Sequence, residues 1–469
     1  MDIDPNLTRA DLIVIQNLFH DVPKLRNQGI KARKSLSSSS RRTRVAECGC
    51  IGSQQKLNND AARSDHLYHA EKSSVETLAS FNNPQHEDFE PTVFVMWDLK
   101  DVKLPRFLND YLLQPYIRFG RSMVRVETDV VMLTHLLLYF ATSVPSAIFL
   151  YYHFSWIHGV FHWAMQSYYV GTYTLMMHQH IHMGGILSPK YSWIDMLFPY
   201  ITNPLMGHTW NSYYYHHVKH HHVESNGPND LSSTIRYQRD DLGDFLCYVG
   251  RFMFFVWLEL PLYFFRKSKT RLAMKAAFWE LGSYLAIFLM FTLNWKTTSF
   301  VFALPLLQLR VGLMVGNWGQ HAFVDEIDPD SDFRSSITLI DVASNRFCYN
   351  DGYHTSHHLN PLRHWREHPV AFLRQKERYS EEHALVFHNI DYIMITVKLL
   401  QKDYAHLAKC LIPIGEQVNM SFDEIAAMLR TKTRRFSEAD IKKKFKANHQ
   451  RNMGLESIFT HRLSVQQEQ

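Results

Sequence analysis

The residues of this chain whose type and spacing could do chemistry are histidines in four groups. Thirteen of the 28 histidines lie between positions 178 and 358. Imidazole titrates near neutrality and is the commonest protein ligand for metals. The groups are His178-Gln179-His180-Ile181-His182, the run from His216 to His222, Asn317 with His321, and His354 with His357 and His358.

The spacing within each group suits metal binding, because helix residues three or four positions apart lie on one face. His178 and His182 are four apart, and so are Asn317 and His321. If each group aims its side chains at one point, the ligands outnumber what one four-coordinate zinc ion takes. The sequence therefore predicts two metal ions held mainly by imidazole. The candidate ligands are His178, His182, His217, His220, His221, His222, Asn317, His321, His354, His357 and His358.

The second group allows two ligand sets. In one set His221 and His222 accompany His217, and in the other His220 and His221 do so. We favour the first set, because it places an adjacent pair after a three-residue spacer, and keep His220 as the alternative. Two further histidines are expected to be structural: the oddly spaced His180 and the isolated His208.

Long apolar runs separate the histidine groups and must position them. An apolar helix of about 20 residues spans a bilayer, and we expect spans at residues 130–152, 156–177, 276–295 and 299–316. The run at 245–265 contains Arg251 and Glu259 and is the poorest spanner, so we expect it to lie at the interface. The basic loop at 266–271 favours the cytosol. Glu280 and Arg310 are costly in lipid and should face the bundle interior.

This pattern predicts an all-α fold, an integral membrane helical bundle of about four transmembrane helices in two hairpins with a cytosolic helical cap carrying the histidines. Four divisions are expected: a disordered, basic and Ser-rich N-terminal tail at 1–90, an interfacial amphipathic segment at 91–129 broken by Pro105 and Pro115, a membrane domain at 130–370, and a cytosolic helical extension at 371–469. A net charge of +5 from 50 basic and 45 acidic residues is too balanced for a nucleic acid partner. Both termini are expected in the cytosol.

The ligand type alone does not select the metal, since neutral imidazole suits iron, zinc, copper and nickel. A metal pair above an apolar bundle indicates a lipophilic substrate reached from the bilayer. Zinc would favour hydrolysis, or a structural role in a membrane receptor, whereas iron would favour oxygen chemistry on an unactivated C–H bond.

The order HxxxH, then HxxHH or HxxxHH, then NxxxH, then HxxHH over residues 178–358 resembles the membrane fatty acid desaturase superfamily. The resemblance implies two iron ions, O2 as co-substrate, and removal of two hydrogens from a lipid acyl chain, with no catalytic residue beyond the metal ligands. A hydroxylase or related oxygenase of the same superfamily is the alternative. Many relatives have an acid where this chain has Gln179.

The resemblance also implies an electron donor. Some relatives carry a fused haem domain with an HPGG motif, but here His368-Pro369 is followed by Val370-Ala371. The donor is therefore expected to be separate, such as cytochrome b5 or a ferredoxin. The expected location is the endoplasmic reticulum membrane, with a plastid membrane as the alternative.

Overall fold

The computed structural model describes residues 7–19 and 73–445, and most of these residues are helical. The main helices are α1 (9–19), α2 (73–80), α3 (Gln114–Met123), α4 (Val130–Tyr152), α5 (Trp156–Met183), α6 (Ser192–Leu205), α7 (Ser212–His216), α8 (Leu242–Arg266), α9 (Thr270–Leu293), α10 (Leu304–Gln320), α11 (His354–Leu359), α12 (His368–Arg374), α13 (Tyr392–Leu400), α14 (Tyr404–Cys410), α15 (Phe422–Thr431) and α16 (Glu438–Lys444). π-Helical turns lie at Asn109–Leu113, His217–His221 and Ser299–Ala303. Two strands are present among the described residues, β1 (Ile337–Ile340) and β2 (Leu385–His388).

Four helical segments are long and apolar enough to cross a membrane: Val130–Tyr152, Leu242–Arg266, Thr270–Leu293 and Trp295–Gln320. The prediction of an all-α membrane bundle is confirmed. The four segments are not the four that we expected, however. α8 qualifies by length and composition, whereas α5, with five histidines along its length, does not. The interfacial position of α8 stays a prediction.

An ion pair joins α9 to α10 inside the bundle. The guanidinium of Arg310 donates to the carboxylate of Glu280, and both side chains are buried. A charge in an apolar bundle needs a partner, because its desolvation is otherwise uncompensated. The prediction that both residues face the interior is confirmed.

The polar part after α10 packs around a short parallel sheet. β1 pairs with β2 in the register Ile337 to Leu385 and Ile340 to His388. A buried core containing Leu339, Phe387 and Leu407 lies on this sheet. This core joins residues on both sides of the expected division at residue 370, which falls inside α12. Neither strand was expected, since β1 lies in the predicted membrane domain and β2 in the extension that was predicted to be helical.

Part of the predicted tail is folded. Leu7, Val14, Ile15 and Leu18 are buried in a core that also contains Tyr353, and their spacing gives α1 one apolar face. Residues 73–90 are described too, and α2 contributes a buried leucine to the same core. The expectation of a disordered tail is therefore corrected for these two segments. The basic, Ser-rich run at 31–44 lies outside the described residues.

The expected interfacial segment contains a nearly continuous helix. It runs from Arg106 through the π-turn into α3, and Pro115 lies within this run, two residues after the end of the π-turn. Pro115 therefore does not break the helix. Phe107 and Tyr111 are exposed on it. Its location at a membrane surface stays a prediction.

Candidate metal centre

Five histidines form the first of two groups that could hold a metal ion. They are His178, His182, His217, His222 and His357. Four of them bring their Nε2 atoms into a closed ring of contacts: 2.8 Å from His178 to His217, 3.0 Å from His217 to His222, 2.8 Å from His222 to His357, and 3.0 Å from His357 to His178. The ring draws on three separate segments of the chain.

The end of α5 places the first two ligands of this group. His178 and His182 lie one turn apart on the last turns of the helix, as their spacing predicted. The helix stops at Gly184, whose φ of 68° and whose neighbour's φ of 122° at Gly185 suit glycine. The N–H of Gly185 donates to the carbonyl oxygen of His180 at 2.9 Å. The turn thus closes immediately after the second ligand.

A π-turn positions the next two histidines of the first group. His217 and His222 are five residues apart, and in an α-helix they would not share a face. The π-turn at His217–His221 widens the helix to an i to i+5 repeat, which brings the two Nε2 atoms to 3.0 Å. α8 packs against this turn, with the Phe252 ring 5.0 Å from that of His216 and the Tyr263 ring 4.1 Å from that of His220.

The second group consists of His221, His321 and His358. Neighbouring groups fix the Nδ1 atoms of two of them. His221 Nδ1 lies 2.8 Å from a carboxylate oxygen of Asp230, and His321 Nδ1 donates to the carbonyl oxygen of Ser335 at 2.8 Å. Such partners set the tautomer and leave the Nε2 lone pair free for a metal. Asp230 and Ser335 were missed from sequence, although an acid eight residues beyond the second group was a usable signal.

Each adjacent pair of histidines serves both groups. His222 and His357 belong to the first group, while His221 and His358 belong to the second. Consecutive residues on a helix point about 100° apart, so one pair reaches two centres side by side. This corrects the expectation that each segment aims all its side chains at one point.

The third segment, α11, is anchored from two sides. The hydroxyl of Tyr353, just before the helix, donates to Asp11 on α1 at 2.7 Å. Ser356 Oγ lies 3.0 Å from Nδ1 of His368 on α12. His354 adjoins the second group, since its Nε2 lies 3.2 Å from Nε2 of His321. A residue near the N-terminal end of the chain, Asp11, and one on the following helix, His368, therefore hold α11 in place.

Three polar residues of these segments point elsewhere. Nε2 of His220 accepts from the N–H of Leu231 at 2.8 Å, so the structure does not bring His220 into either group. Nε2 of His180 donates to the carbonyl oxygen of Asp195 at 3.1 Å. The amide nitrogen of Asn317 donates to Ser232 O and Tyr248 Oη at 2.8 and 2.7 Å, so only the amide oxygen of Asn317 remains for the centre.

Burial keeps the site imidazoles neutral. The pKa values of His217, His222, His354, His357 and His358 lie well below 6.5, because burial disfavours the charged ring and neighbouring imidazoles repel a second charge. Burial alone would raise the pKa of Asp230, but His221 and His220 hold it well below its usual range. Neutral imidazole is the form that binds metals.

The donor set fits metal ions. A neutral imidazole nitrogen can make one in-plane hydrogen bond, yet each Nε2 atom of the ring faces two others. Both ring nitrogens of His182 and the Nε2 of His358 are buried without a hydrogen-bond partner among the described residues. A cation between these atoms would satisfy lone pairs that hydrogen bonds do not. The spacing of 2.8–3.0 Å matches adjacent ligands at right angles with bonds of about 2.1 Å.

Residues of both histidine groups line a largely apolar cavity of about 590 Å³. His178, His217, His221 and His354 line one end of it. Its walls come from α5, α8 and α10, and they include Val170, Leu175, Val256, Leu260, Leu313 and Met314. A cavity of this kind suits an apolar ligand with a few polar contacts.

The family comparison agrees with this geometry. The model of the fatty acid desaturase family matches residues 154–389, half of the chain. The chain belongs to the fatty acid desaturase family. No curated protein and no solved structure matches it. Membership of this family implies oxidoreductase activity at the level of the family. The matched region contains both histidine groups. The family uses iron, and the two groups could bind metal ions.

Proposed function

We propose that this protein is a membrane-bound, oxygen-dependent lipid desaturase that uses two iron ions and takes electrons from a separate donor. The observation that carries the proposal is the pair of adjoining all-imidazole groups at one end of an apolar cavity. Two iron ions held there would supply oxygen activation next to a C–H bond of a lipid acyl chain in the cavity. Electrons would come from a protein such as cytochrome b5 or a ferredoxin, in the endoplasmic reticulum or a plastid membrane.

The residues divide the work by position. The first ion would be held by His178, His182, His217, His222 and His357, and the second by His221, His321, His354 and His358. Asp230 and Ser335 orient the rings of the second group through Nδ1. The apolar walls hold a chain against the centre and exclude water, which fixes the reacting carbons relative to the metals.

A lipid hydroxylase is the alternative within the family. It would use the same ligands and return oxygen to the carbon rather than remove a second hydrogen. A zinc-binding membrane receptor is the alternative from another class. Nine proposed ligands, eight of them in the two groups, exceed what one structural zinc takes.

The test is metal and product analysis of the purified chain. The protein, reconstituted with an electron donor and a lipid extract under oxygen, should contain about two irons and yield products two mass units lighter than a substrate. Products sixteen units heavier would identify a hydroxylase. One zinc per chain with no oxygen consumption would refute oxygen chemistry, and the matched control is the same reaction under nitrogen.

A further inference from the structure

Residues 192–216 connect the first two histidine segments and begin and end beside the metal centre. Near the start, the carboxylate of Asp195 accepts from the N–H of Leu187, in the turn that follows α5, at 3.0 Å. Near the end, the ring of Tyr213 stacks on that of His217, with the ring centroids 5.2 Å apart. Both ends of this connection therefore lie on the metal side of the bundle.

The middle of the connection lies far from the metal centre. Leu205, at the end of α6, is buried in a core with Leu150 from the last turn of α4. α5 starts just after that turn and reaches the metal centre only at its other end. A Cβ atom on Gly207 would lie 2.2 Å from the carbonyl oxygen of Pro305, and Pro305 precedes Asn317 by about 18 Å along α10 at 1.5 Å per residue. The chain therefore turns back deep between the spans.

The backbone of this turn finds its hydrogen-bond partners inside the protein. The N–H of His208 donates to the carbonyl oxygen of Asn203 at 2.9 Å, and the side-chain amide of Asn203 donates to the carbonyl oxygen of Trp210 at 3.1 Å. The N–H of Trp210 donates to Ser283 Oγ on α9 at 3.1 Å. Non-helical backbone at membrane depth is tolerated only where protein groups satisfy it, because lipid supplies no partner. The turn meets that condition.

The polar side chains of the turn are paired as well. Nε2 of His208 lies 3.1 Å from Thr174 Oγ1 on α5, and Thr209 Oγ1 donates to Glu280 on α9 at 2.7 Å. His208 and Thr209 are both buried, and they line the cavity together with Gly207. The turn therefore packs into the bundle and forms part of the cavity wall.

The outer face of α6 is apolar and exposed. Phe198 and Thr202 on the inner face are buried, and the helix packs against α4. Five large side chains recur at helical spacing on the outer face and are between 41% and 66% exposed: Trp193, Met196, Leu197, Tyr200 and Ile201. Leu137 on the neighbouring α4, a candidate span, is 51% exposed. A large exposed apolar face that adjoins a span fits the hydrocarbon of the bilayer.

We propose that residues 192–216 form a re-entrant membrane hairpin, which enters the bilayer from the metal side and returns to that side without crossing. Its partner is the hydrocarbon of the bilayer, which covers the outer face of α6. α6 has 14 residues, which is less than the roughly 20 that a transmembrane helix needs. The inference does not rest on the proposed function, since it holds whichever metal the centre binds.

Residue-resolved footprinting of the wild-type chain in sealed vesicles tests the depth of α6. Two phospholipid probes carry a photoactivated carbene precursor, one near the headgroup and one at the end of an acyl chain, and peptide mass spectrometry locates the label. Positions 193 and 201 differ by about 12 Å along the helix. The headgroup probe should therefore label Trp193 more than Ile201, and the chain-end probe should do the reverse, with Leu137 on α4 as the membrane control. Labelling of both residues by the headgroup probe alone would mean that α6 lies flat on the surface, which would overturn the inference.

Hydroxyl radicals generated in the water phase give the complementary measurement. Ile201 should stay unmodified, whereas Ile327, which is 85% exposed in the polar part after α10, should be modified. Modification of Ile201 to the extent of Ile327 would show that the outer face of α6 faces water. Protection of Ile201 from the radicals and from both lipid probes would show that a protein surface covers it. Either result contradicts the hairpin.

Two cysteine variants decide whether the connection crosses the bilayer. Lys190→Cys and Asn229→Cys place thiols at exposed positions before and after it. A membrane-impermeant maleimide should label both thiols from the same side of sealed vesicles, and peptide mass spectrometry separates them from the five native cysteines. Labelling from opposite sides would mean that the connection spans the bilayer and would refute the hairpin. This result is the same whether or not the protein oxidises lipid, so it is separate from the test of the proposed function.

Discussion

Replacing His222 by alanine, with His220 as the comparison, is the sharpest test of the metal centre. Nε2 of His222 lies 3.0 Å from Nε2 of His217 and 2.8 Å from that of His357. Its removal takes one of five imidazoles from the first group. Removing a residue that only hydrogen-bonds to a metal ligand costs about 10- to 100-fold in metal affinity or activity. Removing a ligand should cost more, so His222→Ala should have less than about one hundredth of the wild-type activity. It should also bind about one metal ion per chain instead of two.

His220 provides a control from the same run of histidines. Its Nε2 accepts from Leu231 N, and glutamine can replace that acceptor. His220→Gln should therefore keep two ions and activity within about tenfold of the wild type, with a stability loss of at most about 1–3 kcal/mol. Iron per chain is measured by elemental analysis, and product by mass spectrometry. If His220→Gln loses an ion while His222→Ala keeps both, the ligand assignment is wrong.

Four further outcomes are expected. His357→Ala should abolish activity but leave membrane insertion intact, as fractionation would show, because the apolar spans drive insertion; full activity would contradict the two-ion site. Asn317→Ala should keep measurable turnover and His321→Ala none, and equal metal loss from the two variants would contradict this ranking. Both termini should be digested by protease in sealed cytosol-side-out vesicles, and protection of only one would break the even-span topology. Burial raises the pKa of Asp11 to about 6 from 3.8, so the docking of α1 should be strongest below pH 3.8 and weaken by up to about 3 kcal/mol as the pH rises through 6; hydrogen exchange of residues 9–19 should show this, and an Asp11→Asn variant should not.

The sequence predicts which histidines come together better than it predicts how they are arranged. The i to i+4 pair at His178 and His182 is local helix geometry, so its spacing suffices to predict it. The i to i+5 pair at His217 and His222 depends on a π-turn, which has no comparable signature in one sequence. The split of each adjacent pair between two groups is set by how separate helices converge, and spacing within one segment cannot show that.

Long-range packing explains the other differences. Val130–Tyr152 was predicted to the residue, because an apolar run of that length has one plausible structure. The β1–β2 pair depends on two four-residue strands that lie about 50 positions apart, and such short runs carry little periodicity. From sequence alone, Asp11 is expected to be a solvated charge near the N-terminus. Its hydrogen-bond donor, Tyr353, lies 342 residues away, so the sequence around Asp11 does not indicate that it is buried.

The contact between His178 and His357 spans 179 positions of the chain, which has a consequence for how the protein is made. All of the long apolar helices precede His354 in sequence, so they emerge from the ribosome before the last ligands exist. The first histidine group is complete only when residue 357 has been synthesised, and the second only when residue 358 has been. Both ion sites therefore reach their full ligand sets only after every candidate span has been synthesised. A chain that stops after α10 would still carry every candidate span but could complete neither ion site.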